Sequence, residues 1–312
     1  MACRKALSNK ELQACSHNNT RTLIGASQAA PESFGVGLND RDQVVGTVAD
    51  NPLSPPSARD IAELERPALE AALAQKGQPR FRGRQIFRWI YPRGVTDLDA
   101  MSDLPKELRA ELASDFTLTT PQIVARERST DGTEKFLLRL ADGRRIESVF
   151  IPDTPAMTFC VSTQVGCAMA CAFCLTGKMG LVRNLTAGKI VGQVRVLANT
   201  LDLRNAAFNI VLMGMGEPLH NYDETMKALR ILTDEHGFAM PPRRITLSTV
   251  GLLPALERLA REPIMPNLAI SLHAPTDVGR ECRARHSGES GSPSTARPRA
   301  TERGAGHPGA HR

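Results

Sequence analysis

Apolar positions in the second half of the chain change their spacing repeatedly, and each change predicts a new element. Continuous or alternating apolar runs predict four strands, in TFCVSTQVG, FNIVLMGMG, RRITLSTVG and NLAISLHAP. Apolar residues three and four positions apart predict three intervening helices, in TAGKIVGQVRVLANTL, YDETMKALRILTDEHG and LLPALERLAREP. Strands that alternate with amphipathic helices are typical of parallel βα units whose helices cover the sheet. We therefore predict an α/β fold over residues 157–277.

Upstream of these units the pattern predicts helices and then strands. Apolar residues in ARDIAELERPALEAALAQKG have helical spacing, and its last residue, Gly77, can end the helix. A further helix is predicted in MSDLPKELRAELASDF, where Asp103 and Pro105 are N-terminal cap signals. Strands are predicted in QIVARERS, EKFLLRLA and RRIESVFIP, separated by the turns TDGT and ADG. We expect a small helical domain over residues 58–120 and a β-hairpin connector over 121–156.

The two ends of the chain lack these patterns. Residues 1–57 have little periodicity, and we expect a mobile extension there. After Asp277 the sequence has no Leu, Ile, Met, Phe, Trp or Tyr. Such a composition buries too little apolar surface to offset the entropy of ordering. Residues 278–312 are therefore expected to be a disordered basic tail, which we interpret as out of frame in preference to a functional RNA-binding tail.

Composition narrows the class of protein. Hydrophobic residues make up 41% of the chain, yet no apolar run approaches the length of about 18 residues that a membrane span needs. The first residues do not match a signal peptide, so we expect a cytoplasmic protein without a membrane partner. The net charge of +6 favours a polyanionic partner such as RNA.

Basic and aromatic residues are interleaved in GQPRFRGRQIFRWIYPRG, within the expected helical domain. Arginines can contact phosphates, and aromatic rings can stack on bases. The competing interpretation is an amphipathic helix whose aromatic rings lie in the core and whose arginines lie in water. The residues in question are Arg80, Phe81, Arg82, Arg84, Phe87, Arg88, Trp89, Tyr91 and Arg93.

Cysteines carry the strongest chemical signal. Three of the seven form a Cys-x3-Cys-x2-Cys motif directly after a predicted strand, namely Cys167, Cys171 and Cys174. Clustered thiolates suit an iron–sulfur cluster or zinc, and an electron-transfer cluster takes four of them. No fourth cysteine continues the motif, so one iron would stay open to a substrate or cofactor. A zinc site that includes Cys160 and cysteines that simply pack in the core are the alternatives.

Four segments in succession resemble one family of enzymes. CVSTQVGCAMACAFCLTG, IVLMGMGEPLHNYD, RRITLSTVG and LAISLHAP are similar to the RlmN and Cfr type of radical S-adenosylmethionine (SAM) RNA adenine methyltransferases. The resemblance runs from about Ala58 to Asp277. It implies a partial (βα) radical SAM barrel, an incomplete TIM-like barrel, with a small helical N-terminal domain.

The resemblance also implies the cofactors and their ligands. Cys167, Cys171 and Cys174 would hold a [4Fe-4S] cluster whose open iron binds SAM. A general base is implied at Glu147, and a cysteine that assists product release at Cys160. The residues that match SAM contacts are Gly216, Glu217, Ser248, Ser271, Leu272 and His273.

The implied reaction is methylation of C2 of adenine in 23S rRNA and, in RlmN members, in tRNA, with flavodoxin or ferredoxin as electron donor. A Cfr-like enzyme acting at C8 and a non-catalytic iron–sulfur or RNA-binding protein are the alternatives. The family also uses a methyl-carrying cysteine beyond its last strands, and Cys282 in the tail does not match it. We therefore expect the chain, as written, to lack methylation activity.

Overall fold

A seven-stranded sheet organises residues 59–152 and 156–272, the parts of the chain that the computed structural model describes. The strands are β1 (Arg59–Asp60), β2 (Phe116–Thr117), β3 (Gln122–Arg128), β4 (Glu134–Arg139), β5 (Arg145–Ile151), β6 (Thr158–Cys160), β7 (Gln164–Gly166), β8 (Leu181–Asn184), β9 (Asn209–Leu212), β10 (Ile245–Thr249) and β11 (Asn267–Ile270). The helices are α1 (Arg66–Ala74), α2 (Phe81–Ile90), α3 (Lys106–Asp115), α4 (Leu175–Lys178), α5 (Ala187–Thr200), α6 (Tyr222–Thr233) and α7 (Leu253–Leu259). The predicted tail and N-terminal extension lie outside these ranges.

The strand order of the large sheet is β11-β10-β9-β6-β5-β4-β3. Strands β6, β9, β10 and β11 are parallel, and each pairs with the next of these strands along the chain. Helices α5, α6 and α7 connect them in turn. A doubly wound sheet reverses its strand order at a switch point, whereas a barrel adds strands in one direction. The described strands form an open sheet of the second kind, which confirms the predicted α/β partial barrel.

Apolar side chains line most of one face of the parallel strands. The register aligns Phe159 with Ile210 and Ile210 with Ile245, so these side chains share a face. All three are fully buried, as is Leu247 further along β10. Helices α5 and α6 supply buried aliphatic side chains to the same core. This packing fixes which face of the sheet is left for a ligand.

The three strands predicted within residues 121–156 are all present. Strands β3, β4 and β5 are antiparallel, and Gly132 and Gly143 have positive φ in the two predicted turns. Strand β5 also pairs with β6, through Val149 and Cys160 among others. The antiparallel strands therefore continue the same sheet that contains the parallel ones.

The helical region of residues 59–118 packs on α5 through polar as well as apolar contacts. Glu63 accepts a hydrogen bond from the Gly188 amide at 2.9 Å, at the N-terminus of α5, where a carboxylate is favoured. The fully buried Arg195 donates to the Val95 carbonyl at 2.8 Å. Asn199 donates to the Gly94 carbonyl at 2.7 Å. The hydrophobic core continues across this contact without interruption.

Three predictions of local structure are wrong. The first predicted helix begins only at Arg66, with proline in its first turn, because the preceding residues 61–63 form a 3-10 turn. Asp103 does not cap α3, whose N-cap is Pro105; it accepts the indole N–H of Trp89 instead. TFCVSTQVG is two strands, because β7 leaves the large sheet to pair with β8.

Within the described ranges, no helix has the length and apolar character to cross a membrane.

Candidate cofactor site at the carboxyl edge of the sheet

The cysteine loop is held at the end of the β7–β8 hairpin. Cys167 follows β7, and its amide donates to the Gly180 carbonyl at 3.0 Å. The Cys174 amide donates to the Cys171 carbonyl at 3.0 Å, so the chain turns tightly before α4. Gly166 has φ +76°, and a Cβ there would lie 1.8 Å from the Gly180 oxygen. Only glycine allows the two strands to approach so closely.

The three thiols lie within electrostatic range of one another. Burial raises the pKa of the Cys167 thiol, and the charges of Cys174 and Glu217 raise it further. Burial likewise raises the pKa of Cys171, followed by its cysteine neighbours and Glu217. Thiolates are therefore disfavoured here unless a cation accompanies them, and a bound iron core supplies that cation.

No three His, Cys, Asp or Glu side chains among residues 59–152 and 156–272 are arranged as ligands of a single metal ion. A four-iron cluster presents separate iron atoms, so its thiolates need not converge on one point. Three half-exposed thiols on one loop are a suitable donor set for such a cluster.

The turn after β9, residues 213–217, is called the glycine turn below, and it packs against the segment that leads to the cysteines. The Gly214 amide donates to the Val161 carbonyl at 3.1 Å, and the Met215 amide to the Ser162 hydroxyl at 2.8 Å. Gly216 has φ +102°, a conformation that side chains with a Cβ rarely adopt. This turn and the cysteine loop therefore share one side of the sheet edge.

Glu217 connects three segments at that edge. Its buried carboxylate accepts from the Leu219 amide at 3.1 Å and, through its other oxygen, from the Val250 amide at 3.0 Å. Each oxygen keeps a second lone pair, because a carboxylate has about four acceptor positions. The Glu217 amide also donates to Gln164 Oε1 at 2.9 Å, and Gln164 lies three residues before Cys167.

Two of the implied SAM-contact serines meet. The hydroxyls of Ser248 at the end of β10 and Ser271 just after β11 are 3.1 Å apart. Cys160 is paired with Val211, and Val211 is paired with Thr246, so these three side chains lie on one face of the sheet. Ser248 is two residues after Thr246 on the same strand, and it therefore lies on that face as well. In the same segment, the side chain of Leu272 is about half exposed. His273 lies outside the described residues.

Glu147 lies on the same face of the sheet as Cys160 and Ser248, opposite the apolar core. Cys160 pairs with Val149, and Glu147 precedes Val149 by two residues. Cys160 is buried, whereas Glu147 is partly exposed and lies 3.6 Å from the Lys135 ammonium. The face opposite the apolar core therefore holds both residues that the family resemblance singled out as catalytic.

Ser162 and Gln164 lie at this edge of the sheet and were not predicted from the sequence as site residues. The Ser162 hydroxyl donates to the Glu147 carbonyl at 2.6 Å and accepts from the Met215 amide, so it joins β5 to the glycine turn. Gln164 accepts from the Glu217 amide at 2.9 Å. Both are fully buried. Polar residues inside an apolar run directly before the cysteine motif were the signal that could have identified them.

The arginine-rich segment has some aromatic rings in the core and others at the surface, while several of its arginines are exposed. Phe87 and Tyr91 are buried and belong to the core, so they cannot stack on a base. Phe81 is 45% exposed, and Trp89 is half-buried with the Arg93 guanidinium 4.0 Å from its ring centroid. The exposed basic residues of this segment are Arg80, Arg84, Arg88 and Arg93.

Gly216→Ala is expected to destabilise the chain by about 1–3 kcal/mol and, if SAM binds at this turn as the resemblance implies, to weaken its binding. The new Cβ would lie 2.6 Å from the Gln164 Cβ at an unfavourable φ, so the turn must move. Urea unfolding and equilibrium dialysis with SAM measure the two effects. Gly143→Ala is the matched control, since φ is +79° but nothing lies within 4 Å of the new Cβ. Equal effects on SAM binding in the two variants would contradict the prediction.

Comparisons with known proteins agree with this geometry. Residues 59–118 match the ribosomal RNA large subunit methyltransferase N-terminal domain, and residues 161–290 match the radical SAM superfamily. A curated relative from Pelobacter propionicus, a dual-specificity RNA methyltransferase RlmN, is 46% identical over 71% of this chain and 63% of its own length. The corresponding protein of Geobacter sulfurreducens is 49% identical over 71% of this chain and 60% of its own length. The chain thus spans about three fifths of these relatives.

A solved structure gives the same result. A radical SAM methyltransferase from Sphaerobacter thermophilus is 48% identical, with a TM-score of 0.68, over 72% of this chain and 67% of that one. Together with the two domain matches, this likeness shows that the chain belongs to the RlmN-type radical SAM methyltransferases.

Proposed function

We propose that the chain is a SAM-dependent RNA methyltransferase of the RlmN type. One observation carries the proposal: at the carboxyl ends of parallel strands, the Gly216–Glu217 turn is hydrogen-bonded to Gln164, three residues before the first cysteine of the motif. Ligands of barrel enzymes bind at that end of the strands. The names of the curated relatives support RNA as the substrate.

The chain's own residues divide into cluster ligands and SAM contacts. Cys167, Cys171 and Cys174 would hold a [4Fe-4S] cluster and leave one iron for SAM. The free lone pairs of Glu217 would accept from the SAM ammonium, and Gly216 would let backbone approach it. Cluster and SAM, when both are bound, would supply a reactive carbon radical on one-electron reduction, and flavodoxin or ferredoxin is the electron donor we propose. Further SAM contacts are proposed at Ser248, Ser271, Leu272 and His273.

The RNA side of the site would be the face that carries Glu147 and Cys160. Glu147 would take a proton from the adenine base, and Cys160 would assist release of the product. We propose C2 of adenine in 23S rRNA, and in tRNA, as the position methylated. The exposed Arg80, Arg84 and Arg88 would contact phosphates.

Reductive cleavage of SAM tests the proposal. Anaerobically reconstituted protein, a chemical reductant and SAM should yield 5′-deoxyadenosine, and omission of iron should abolish it. Iron-loaded protein that binds SAM without cleaving it would indicate a non-catalytic iron–sulfur protein, and bound zinc would indicate a structural module.

Mass spectrometry of added 23S rRNA fragments then separates C2 from C8. The expectation that this chain does not complete methyl transfer stays a prediction, which methylated adenine in that assay would contradict.

A further inference from the structure

Gln164, on β7, connects two other segments of the site, the turn after β9 and strand β8. It is fully buried, and it lies three residues before Cys167. Its Oε1 accepts from the Glu217 amide at 2.9 Å, and its Nε2 donates to Asn184 Oδ1 at 2.7 Å. The same Nε2 lies 3.0 Å from Nδ1 of His220. One side-chain amide therefore joins the glycine turn to both strands of the cysteine hairpin.

The backbone and the packing of Gln164 reinforce this contact. Its amide donates to the Met215 carbonyl at 3.1 Å. A Cβ at Gly216 would lie 2.6 Å from the Gln164 Cβ and 2.7 Å from its Cγ. The turn thus rests directly on the Gln164 side chain, with no space between them.

Glutamine suits this position for a chemical reason. Its amide has an acceptor and a donor on one flat group, so it can serve the Glu217 N–H and the Asn184 oxygen together. An apolar side chain of the same length would leave the buried Glu217 N–H without an acceptor, which is unfavourable.

We propose that Gln164 is a positioning residue that sets the Met215–Glu217 backbone at a fixed place relative to the cysteine loop. It reacts with nothing itself. Its effect is to make the turn and the cluster ligands meet the same SAM molecule. The inference rests on the proposed function, because it assumes that SAM binds at this turn.

Gln164→Met tests the inference, with Gln193→Met as the matched control. Gln193 is also fully buried; its Oε1 accepts from the Ser148 hydroxyl and the Ser162 amide, and its Nε2 donates to the Ser162 carbonyl, all at 2.8 Å. Gln193 makes no hydrogen bond to Glu217 and reaches the turn only through Ser162, whose hydroxyl accepts from the Met215 amide. We expect Gln164→Met to weaken SAM binding about tenfold or more with its iron content unchanged. Gln193→Met should lower the unfolding midpoint yet keep the SAM affinity within about threefold.

Two further measurements separate positioning from general loosening. Gln164→Glu keeps an acceptor for the Glu217 N–H but lacks the donor to Asn184, so it should restore part of the affinity that Gln164→Met loses. Amide hydrogen exchange over residues 213–219 should accelerate in Gln164→Met and not in Gln193→Met.

Equal SAM affinity and equal exchange in Gln164→Met and the parent would overturn the inference, as would equal losses in both methionine variants. A parent protein that does not bind SAM would instead contradict the proposed function, and the exchange comparison would still decide the role of Gln164.

Discussion

Cys171→Ala is expected to abolish the iron–sulfur cluster while the protein stays folded. The proposed cluster would need a thiolate from each of the three loop cysteines, because no other cysteine continues the motif. Cys171 is half-exposed on a loop, so its truncation removes little buried surface. Reconstituted parent should contain about four irons per chain, and the variant close to none. Visible absorbance and iron analysis measure the loss, and 5′-deoxyadenosine formation should disappear with it.

Cys160→Ala is the sharpest comparison for that experiment. Cys160 is buried on β6, on the face of the sheet shared with Glu147. If three cysteines hold a cluster, Cys160→Ala keeps its iron and its visible absorbance. Equal metal loss in both variants would instead support a four-cysteine site, and zinc in the parent would identify it as structural.

Phe159→Ala should cost about 3–5 kcal/mol of unfolding free energy. Its ring is fully buried and lies 4.5 Å from Phe208 and 5.8 Å from Phe150, measured between ring centroids. It also lies on the central strand β6, between the antiparallel and parallel halves of the sheet. Truncation therefore leaves a cavity between the two halves of the sheet, and neither half can move far enough to close it. Urea unfolding followed by circular dichroism measures the loss.

Phe81→Ala is the control for ring removal as such. Phe81 is 45% exposed on α2, with the Arg82 guanidinium 4.8 Å from its ring centroid. Its truncation should cost less than about 1 kcal/mol, as surface substitutions usually do. A similar loss of stability in the two variants would mean that Phe159 is not at the centre of the core.

Local pattern predicted most of the elements around the site. The apolar spacing in residues 187–200 and 222–233 identified helices that are present, and the four parallel strands are present as well. These signals are local because each helix or strand must bury one face whatever its neighbours are. The wrong predictions lie where a distant contact decides. The segment TFCVSTQVG was predicted as one strand, but it turns after Cys160 because the Thr163 and Gln164 amides donate to the Met215 carbonyl.

The amino-acid sequence alone specifies a cysteine triplet, a glycine-rich turn with Glu217, and the order of strands that brings them to one edge. Only the packed fold shows that Glu217 spans the ends of β9 and β10, that Ser248 meets Ser271, and that Gln164 supports the turn. These contacts join residues that lie far apart along the chain. Glu217 and Gln164 are 53 residues apart, and no periodicity encodes a hydrogen bond between such residues. Such a bond forms only once the sheet and its helices have packed.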